Sequence, residues 1–508
     1  MGTLASYLKG AWVQPSGEGS PIHDATTGEE VGRVSGAGLD LGPALAWSRR
    51  VGGKAVRSAT FAERGAWLTA LGKLVHVNRD MLLDVSRQGG TTRSDGKFDV
   101  DGASATLTYY GALGAKLGDA RFLRDGEAKP ILQSKRFVAQ HLQLPRRGVA
   151  LHINAYNFPA WGMAEKLAVA VLAGMPVVVK PSPTTAPLAH RIVELWVDAG
   201  VMPEGIISLL HGEPEGLFDH LTSQDCVAFT GSAKTGRWLR SHPAVVACGA
   251  RVNVEADSVN AAVVGPDVTV GTETFEMMVS DVVKDMTQKA GQKCTAIRRV
   301  LVPEGRVSDT IEALIERLEG EAVGDPAERG VRVGPVVDAA QQQRVLDGIE
   351  SLSEGAQVVW QAKIEVGAGA FVAPTLLKMS QGHPCVHQTE VFGPVCSVVA
   401  YSGDAEEAVR LVREGDGGLV CSVYSDDVAW AGDVVLGVAP WHGRVHWGSR
   451  KVAAQSPGPG TVLPNLVHGG PGRAGGGEEL GGVRGLAFYL QRTAIQADRG
   501  LLGRILED

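Results

Sequence analysis

A chain of 508 residues is long enough for two or three domains. With 44% hydrophobic and 21% charged residues it is neither disordered nor collagen-like, although 66 glycines imply many tight turns. The 49 Lys+Arg against 56 Asp+Glu leave a formal net charge of −7, which provides no general positive field for nucleic acid or anionic membranes. No apolar run is long enough to span a bilayer, and the stretch from Met1 to Val13 lacks the apolar core of a signal peptide. The start from Met1-Gly2 to Ser6 fits an acylation pattern, but no basic cluster adjoins it and one acyl chain binds membranes only marginally. Six cysteines without close pairing suit a reducing compartment, so a cytoplasmic location is expected.

From about Leu39 to Leu113 apolar residues recur at helical spacing, as in Trp67, Leu68, Leu71, Leu74 and Val75. Phe137–Leu144 partly alternates and reads as a strand outside the regular succession, suited to an arm used in association. Strands and helices then alternate. Gly148–Ile153, Val177–Val179, Ile206–Leu210 and Cys226–Phe229 are the expected strands. Ala160–Ala173 and a helix capped by Thr185 stand between them. Such βα units predict a parallel sheet covered on both faces, with right-handed crossovers and a ligand at the C-terminal strand ends. A second alternation runs from near Val254 to about Tyr424, including Arg299–Val302, a helix around Ile311–Leu318 and Cys396–Val399. Two α/β domains are expected, with a boundary near residue 252. Gly448–Gly485 is rich in glycine and proline and is predicted to be a long surface loop.

Cys294 follows a glycine turn, and Lys293 and Arg298 beside it offer a route to a lowered thiol pKa. Taken alone, an inert buried cysteine is the better reading. Glu255 ends the strand Arg251–Val254, where a general base could stand, although a solvated carboxylate is the ordinary reading. Phe229-Thr230-Gly231-Ser232 leads into a helix capped by Ser232, whose free amides favour a phosphate. Gly470–Gly475 matches a dinucleotide fingerprint literally, but no strand–helix unit surrounds it. His383, Cys385 and His387 lack a second cluster to complete a metal site, so no metal is expected.

Together with Tyr156-Asn157-Phe158-Pro159, Lys180-Pro181-Ser182-Pro183, Gly291–Cys294 and Glu390–Val395, these stretches resemble the aldehyde dehydrogenase superfamily, in the family's order and across nearly the whole chain. The resemblance implies a Rossmann-type cofactor domain (1–125 and 146–252) and an α/β catalytic domain (253–450). It also implies an oligomerisation β-arm (126–145 and 480–508), with 451–479 as the glycine-rich loop region. It casts Cys294 as nucleophile, Glu255 as the base that activates water and Asn157 as oxyanion donor, with Lys166 and Glu479 as a proton relay behind the base. It assigns Lys180, Ser182, Gly231, Ser232 and Gly236 to the adenosine and pyrophosphate side of the cofactor, and Glu390 and Phe392 to the nicotinamide ribose. A homodimer or higher homo-oligomer is implied.

Two departures narrow the resemblance. Pro183 stands where many NAD-using relatives carry a ribose-binding glutamate, so NADP is expected in preference to NAD. Val254–Asn260, Gln292–Arg299 and Leu466–Glu479 are similar to a branch that handles coenzyme-A-linked semialdehydes in phenylacetate and benzoate oxidation. The phenylacetate member carries a fused hydratase domain. This chain stops at Asp508, so the stand-alone type is expected. Arg450, Lys451 and Arg473 are the candidates to meet coenzyme A phosphates, and a solvated loop explains them at least as well. The expected reaction is oxidation of such a semialdehyde to the acid. A broad-range free-aldehyde enzyme and a noncatalytic binding protein are the alternatives, and Glu255 disfavours a coenzyme-A-acylating one.

Overall fold

The computed structural model describes residues 2–507 apart from 132, 134, 366 and 380–382. Met1 of the acylation pattern, residues 132 and 134 of the 126–145 segment, and Asp508 at the end of the 480–508 segment lie outside that description. Two seven-stranded sheets organise the molecule. The first runs Arg251–Glu255, Cys226–Thr230, Ala150–Ile153, Val177–Lys180 and Ile207–Leu209 in parallel, then ends in the antiparallel Ser6–Leu8 and Ala11–Val13. The second is ordered Ala356–Gln361, Thr375–Met379, Val395–Tyr401, Ile297–Pro303, Asn260–Val264, Gly418–Tyr424 and His442–Gly448, with only its first pair antiparallel.

Both faces of each sheet are buried, which is why the strands read as continuous apolar runs. Along Asn260–Val264, Ala262 and Val264 enter one core while Ala261 and Val263 enter the opposite one. In the first sheet Val177 and Val179 face one core and Val178 the other, the period of two expected of a strand. Trp161–Ala173 is apolar almost all round and is buried as a central helix, closed by Gly174 in the left-handed conformation. Thr185, expected as a cap, instead donates its hydroxyl to the Tyr156 carbonyl at 3.1 Å, and the helix Ala186–Asp198 follows a short 3₁₀ turn.

Phe137–Pro145 is the middle strand of an antiparallel three-stranded sheet, between Leu490–Asp498 and Leu123–Pro130. Among the described residues no helix is long and apolar enough to cross a membrane. The C-terminal ends of the strands Cys226–Thr230 and Arg251–Glu255 bring Thr230 and Glu255 side by side. Cys294 precedes the strand Ile297–Pro303 of the other sheet. The catalytic candidates therefore stand at C-terminal strand ends of the first sheet and just before a strand start of the second.

Candidate active site

The loop carrying Cys294 is held in an unfavourable shape. Lys289 and Ala290 adopt left-handed backbone angles (φ 55° and 50°), which cost about 1–3 kcal/mol each for residues with a Cβ. Gly291 continues the turn at φ +69°, and a Cβ there would lie 2.1 Å from the Gly393 carbonyl oxygen, so only glycine fits. Arg298 holds the loop by donating to the carbonyls of Gly393, Gly291 and Lys293 at 2.9, 2.8 and 3.0 Å. Asn260 donates to the carbonyls of Cys294 and Ala296 at 2.8 and 2.9 Å. Asn157 donates its amide to the Gln292 carbonyl at 3.0 Å, two residues before the sulfur.

The expectation that Lys293 and Arg298 lower the thiol pKa is overturned. Lys293 turns away to Asp285 at 2.6 Å, and Arg298 is spent on backbone carbonyls. Burial, then Glu255, Glu165 and Glu390, push the Cys294 thiol well above its ordinary value, so the free enzyme holds it neutral. The basic group beside it is His468. Its Nε2 lies 3.9 Å from Cys294 Sγ and 3.2 Å from Glu255 Oε1. Burial alone would raise the Glu255 carboxyl, but His468 and Lys166 outweigh it and hold it below the usual carboxylate range. The converse holds for His468, whose burial penalty is outweighed by Glu255 and Glu165.

His468 arrives from the segment expected to be a surface loop. Val467–Gly470 and Gly477–Leu480 instead form a largely buried hairpin that pairs His468 with Glu479. Gly475 makes this packing feasible, because a Cβ there would meet the Val254 carbonyl oxygen at 2.3 Å. Glu479 accepts from Lys166 at 2.9 Å and from Asn253 at 3.2 Å, so the two relay candidates are in direct contact. Glu165 joins them 3.6 Å from Lys166, and one oxygen each of Glu165, Glu255 and Glu479 lies within 4.8 Å of the others. Burial, with Glu479 and Glu255 adding to it and Lys166 opposing, pushes the Glu165 carboxyl up to about 8. Sequence reasoning missed both His468 and Glu165; the available signals were adjacency to Lys166 and a place in the same glycine-rich stretch as Glu479.

Two cavities meet at Cys294. A cleft of about 1310 Å³ is lined by Ser182, Gly231, Ser232, Glu390, Phe392 and Arg473. A tunnel of about 490 Å³ is walled by Phe98, Phe158, Trp161 and Val462. Asn157, Thr230, Glu255 and Cys294 line both. At the start of the helix Ala233–Ser241 two amides expected to be free for a phosphate are already taken, Thr235 by the Ser232 hydroxyl at 3.2 Å and Ala233 by Asp257 at 2.9 Å; the cleft instead offers unsatisfied polar side chains to a dinucleotide. Thr230 Oγ1, Glu390 Oε1 and Arg473 Nε are buried polar atoms without a protein partner. Burial, with Asp257 adding to it, pushes the Glu390 carboxyl up to about 7 against Arg298 and Arg473. Phe392 is fixed by the Arg298 guanidinium 5.4 Å from its ring centre.

Lys180 and Gly236 do not line this cleft. Lys180 is largely buried at a strand end, and a Cβ on Gly236 would meet Val254 at 2.6 Å, so that glycine serves packing. Arg473 faces the cleft rather than the tunnel and donates to the Gln388 carbonyl at 2.8 Å, while Arg450 lies beside Asp426 on the surface. Neither they nor Lys451 line the tunnel. His387 contacts Arg299 and Glu414, apart from the His383–Cys385 contact, so the three residues do not converge.

The sequence profile described as the Aldehyde dehydrogenase family matches residues 12–495. The chain belongs to the aldehyde dehydrogenase family. It is an NAD(P)-dependent aldehyde dehydrogenase with that family's fold. It is 44% identical over 478 residues to the 3,4-dehydroadipyl-CoA semialdehyde dehydrogenase of Aromatoleum evansii, covering 92% of this chain and 93% of that one. Geranial dehydrogenase of Castellaniella defragrans is 29% identical over 501 residues, 94% and 95% of the two chains. The solved lactaldehyde dehydrogenase from Escherichia coli superposes with a TM-score of 0.83 at 23% identity, covering 98% of this aldehyde dehydrogenase and 99% of that chain.

Proposed function

We propose that this aldehyde dehydrogenase oxidises a coenzyme-A-linked semialdehyde to the carboxylic acid with NADP, through a thioester on Cys294. The observation that carries the chemistry is the seam between tunnel and cleft, where Cys294, Glu255 and Asn157 are shared by an apolar and a polar cavity. An aldehyde in the tunnel meets Sγ from one side. Sγ attacks the carbonyl as the thiol proton passes to the adjacent Glu255 carboxylate, forming a thiohemiacetal whose oxyanion is met by the Asn157 amide and the Cys294 backbone amide. The His468 ring, 3.9 Å from Sγ and 3.2 Å from Glu255, steadies the negative charge that moves between them. The dinucleotide, when bound in the cleft, supplies the hydride acceptor that turns the thiohemiacetal into a thioester.

Glu255 Oε2 is buried without a partner, leaving one carboxylate oxygen to orient water for hydrolysis. The proton it takes passes toward Glu165, Lys166 and Glu479, which sit in contact behind it. This retained base favours release as the acid over transfer to a thiol. The substrate class is supported by the 44% identity to an enzyme named for a coenzyme A semialdehyde.

NADP is supported by Pro183 in place of a carboxylate, with Ser182 on the cleft wall. The six free cysteines suit a cytoplasmic site of action. The three-stranded sheet of Phe137–Pro145 and Leu490–Asp498 is the surface proposed for pairing with a second copy.

Initial rates of NADPH formation with a coenzyme-A-linked semialdehyde and with the matching free semialdehyde acid test the reading. A large kcat/KM advantage for the thioester is expected. Equal values would return the substrate to an unspecified aldehyde, and a higher kcat/KM with NAD would overturn the cofactor assignment.

A further inference from the structure

The tunnel and the proposed substrate are mismatched in size. Its aromatic wall and its volume of about 490 Å³ suit an acyl chain, but a nucleotide carrying three phosphate groups cannot follow the aldehyde inside. With Arg473 facing the cofactor cleft, the phosphates need another partner.

A separate open groove of about 690 Å³ carries three exposed cations, Lys284, Arg317 and Arg332. Lys284 donates to the Pro457 carbonyl at 3.3 Å, and none of the three takes part in an ion pair among the described residues. Unpaired guanidinium groups of this kind match phosphate oxygens in charge and in donor geometry. Two acids also line the groove. Asp95 is buried, and burial pushes its carboxyl up against the pull of Lys289, which leaves the half-buried Glu321 as the other acid.

Two segments of chain run from the groove to the tunnel. Asp95 lies one helical turn before Phe98 on the helix Arg93–Leu117, with Asp95 in the groove and Phe98 in the tunnel. On the other side, the strap that begins at Pro457, against Lys284, reaches Gly460, which lines the tunnel and accepts from the Thr295 hydroxyl at 3.1 Å. The Gln288 side chain in the groove accepts from Lys293, the neighbour of the nucleophile, at 2.9 Å.

We infer that Lys284, Arg317 and Arg332 bind the phosphates of a coenzyme A thioester whose acyl end reaches Cys294 through the tunnel. This rests on the coenzyme-A-linked reading of the substrate. The pantetheine arm then runs from the groove to the tunnel mouth, and the reacting carbon is delivered without the nucleotide entering the enzyme.

The test compares kcat/KM for the coenzyme A semialdehyde and for the free semialdehyde acid in the wild type and in the double variant R317E/R332E. K284A is a milder second variant. Loss of these contacts is expected to lower the thioester-to-free-acid ratio about tenfold or more, mainly through KM. The wild-type ratio should also shrink with added KCl, while the double variant shows little salt response. A wild type that prefers the thioester, with both variants keeping that preference and its salt response, overturns the groove assignment and leaves the substrate reading standing. A wild type without any thioester preference overturns the substrate reading, and the groove falls with it.

Discussion

The tunnel and the cleft on either side of Cys294 are built on opposite principles. The tunnel wall is aromatic and aliphatic (Phe98, Phe158, Trp161 and Val462), with charges confined to its end. The cleft wall mixes hydroxyls, glycine, Glu390 and Arg473, and keeps several buried polar atoms without protein partners. An apolar wall excludes water and leaves orientation to shape, whereas a polar wall expects partners from a ligand. Reaction is confined to the seam because only there do a nucleophile, a base and an amide donor touch both regions.

Breaking the seam itself should have the largest effect. Cys294→Ala should remove turnover by roughly 10³-fold or more while dinucleotide binding to the cleft, followed by fluorescence titration, persists. Loss of binding as well would mean that the loop, and not the sulfur, organises the cleft. Next in size, Glu255→Gln should lower steady turnover about 10²–10⁴-fold and keep a burst of reduced cofactor in stopped-flow absorbance. Equal loss of burst and turnover would remove Glu255 from a purely hydrolytic role.

The cleft can be tested apart from the tunnel. Pro183→Glu should lower the NADP-to-NAD ratio of kcat/KM about tenfold, by facing a 2′-phosphate with a carboxylate. An unchanged ratio would mean that Pro183 does not face the ribose. His468→Phe should slow alkylation of Cys294 near pH 7 about tenfold, read by peptide mass spectrometry against pH, because the basic group beside Sγ is lost. His468→Gln should behave alike if charge, rather than the hydrogen bond, matters.

The smallest effect concerns stability. Glu165 binds a proton in the folded state up to about pH 8, against an ordinary value of 4.5. The native protein therefore holds more protons than the unfolded chain across that window, and stability falls as pH rises through it. Glu165→Gln should flatten that fall in melting temperatures measured from pH 4.5 to 8. An unchanged slope would place the proton elsewhere in the Glu165–Glu255–Glu479 cluster.

The strands were legible because parallel sheets buried on both faces write themselves as unbroken apolar runs, as Val177–Val179 and Cys226–Phe229 do. The glycine-rich segment misled for the opposite reason. Gly469, Gly475 and Gly477 look like loop composition, yet they allow a hairpin to press its backbone against Asn253 and Val254. Composition records the absence of side chains and says nothing of what occupies the vacated space.

What the sequence by itself determined is the alternating βα order, the apolar strands and the chemical types at Cys294, Glu255 and Asn157, because these depend on local period and on motifs. What only the tertiary structure decided is the charge on them. Lys293, adjacent in sequence, spends its charge on Asp285, whereas His468, 174 residues away, stands 3.9 Å from the sulfur. Electrostatic interaction follows distance through a buried, low-dielectric space, and chain adjacency does not set that distance.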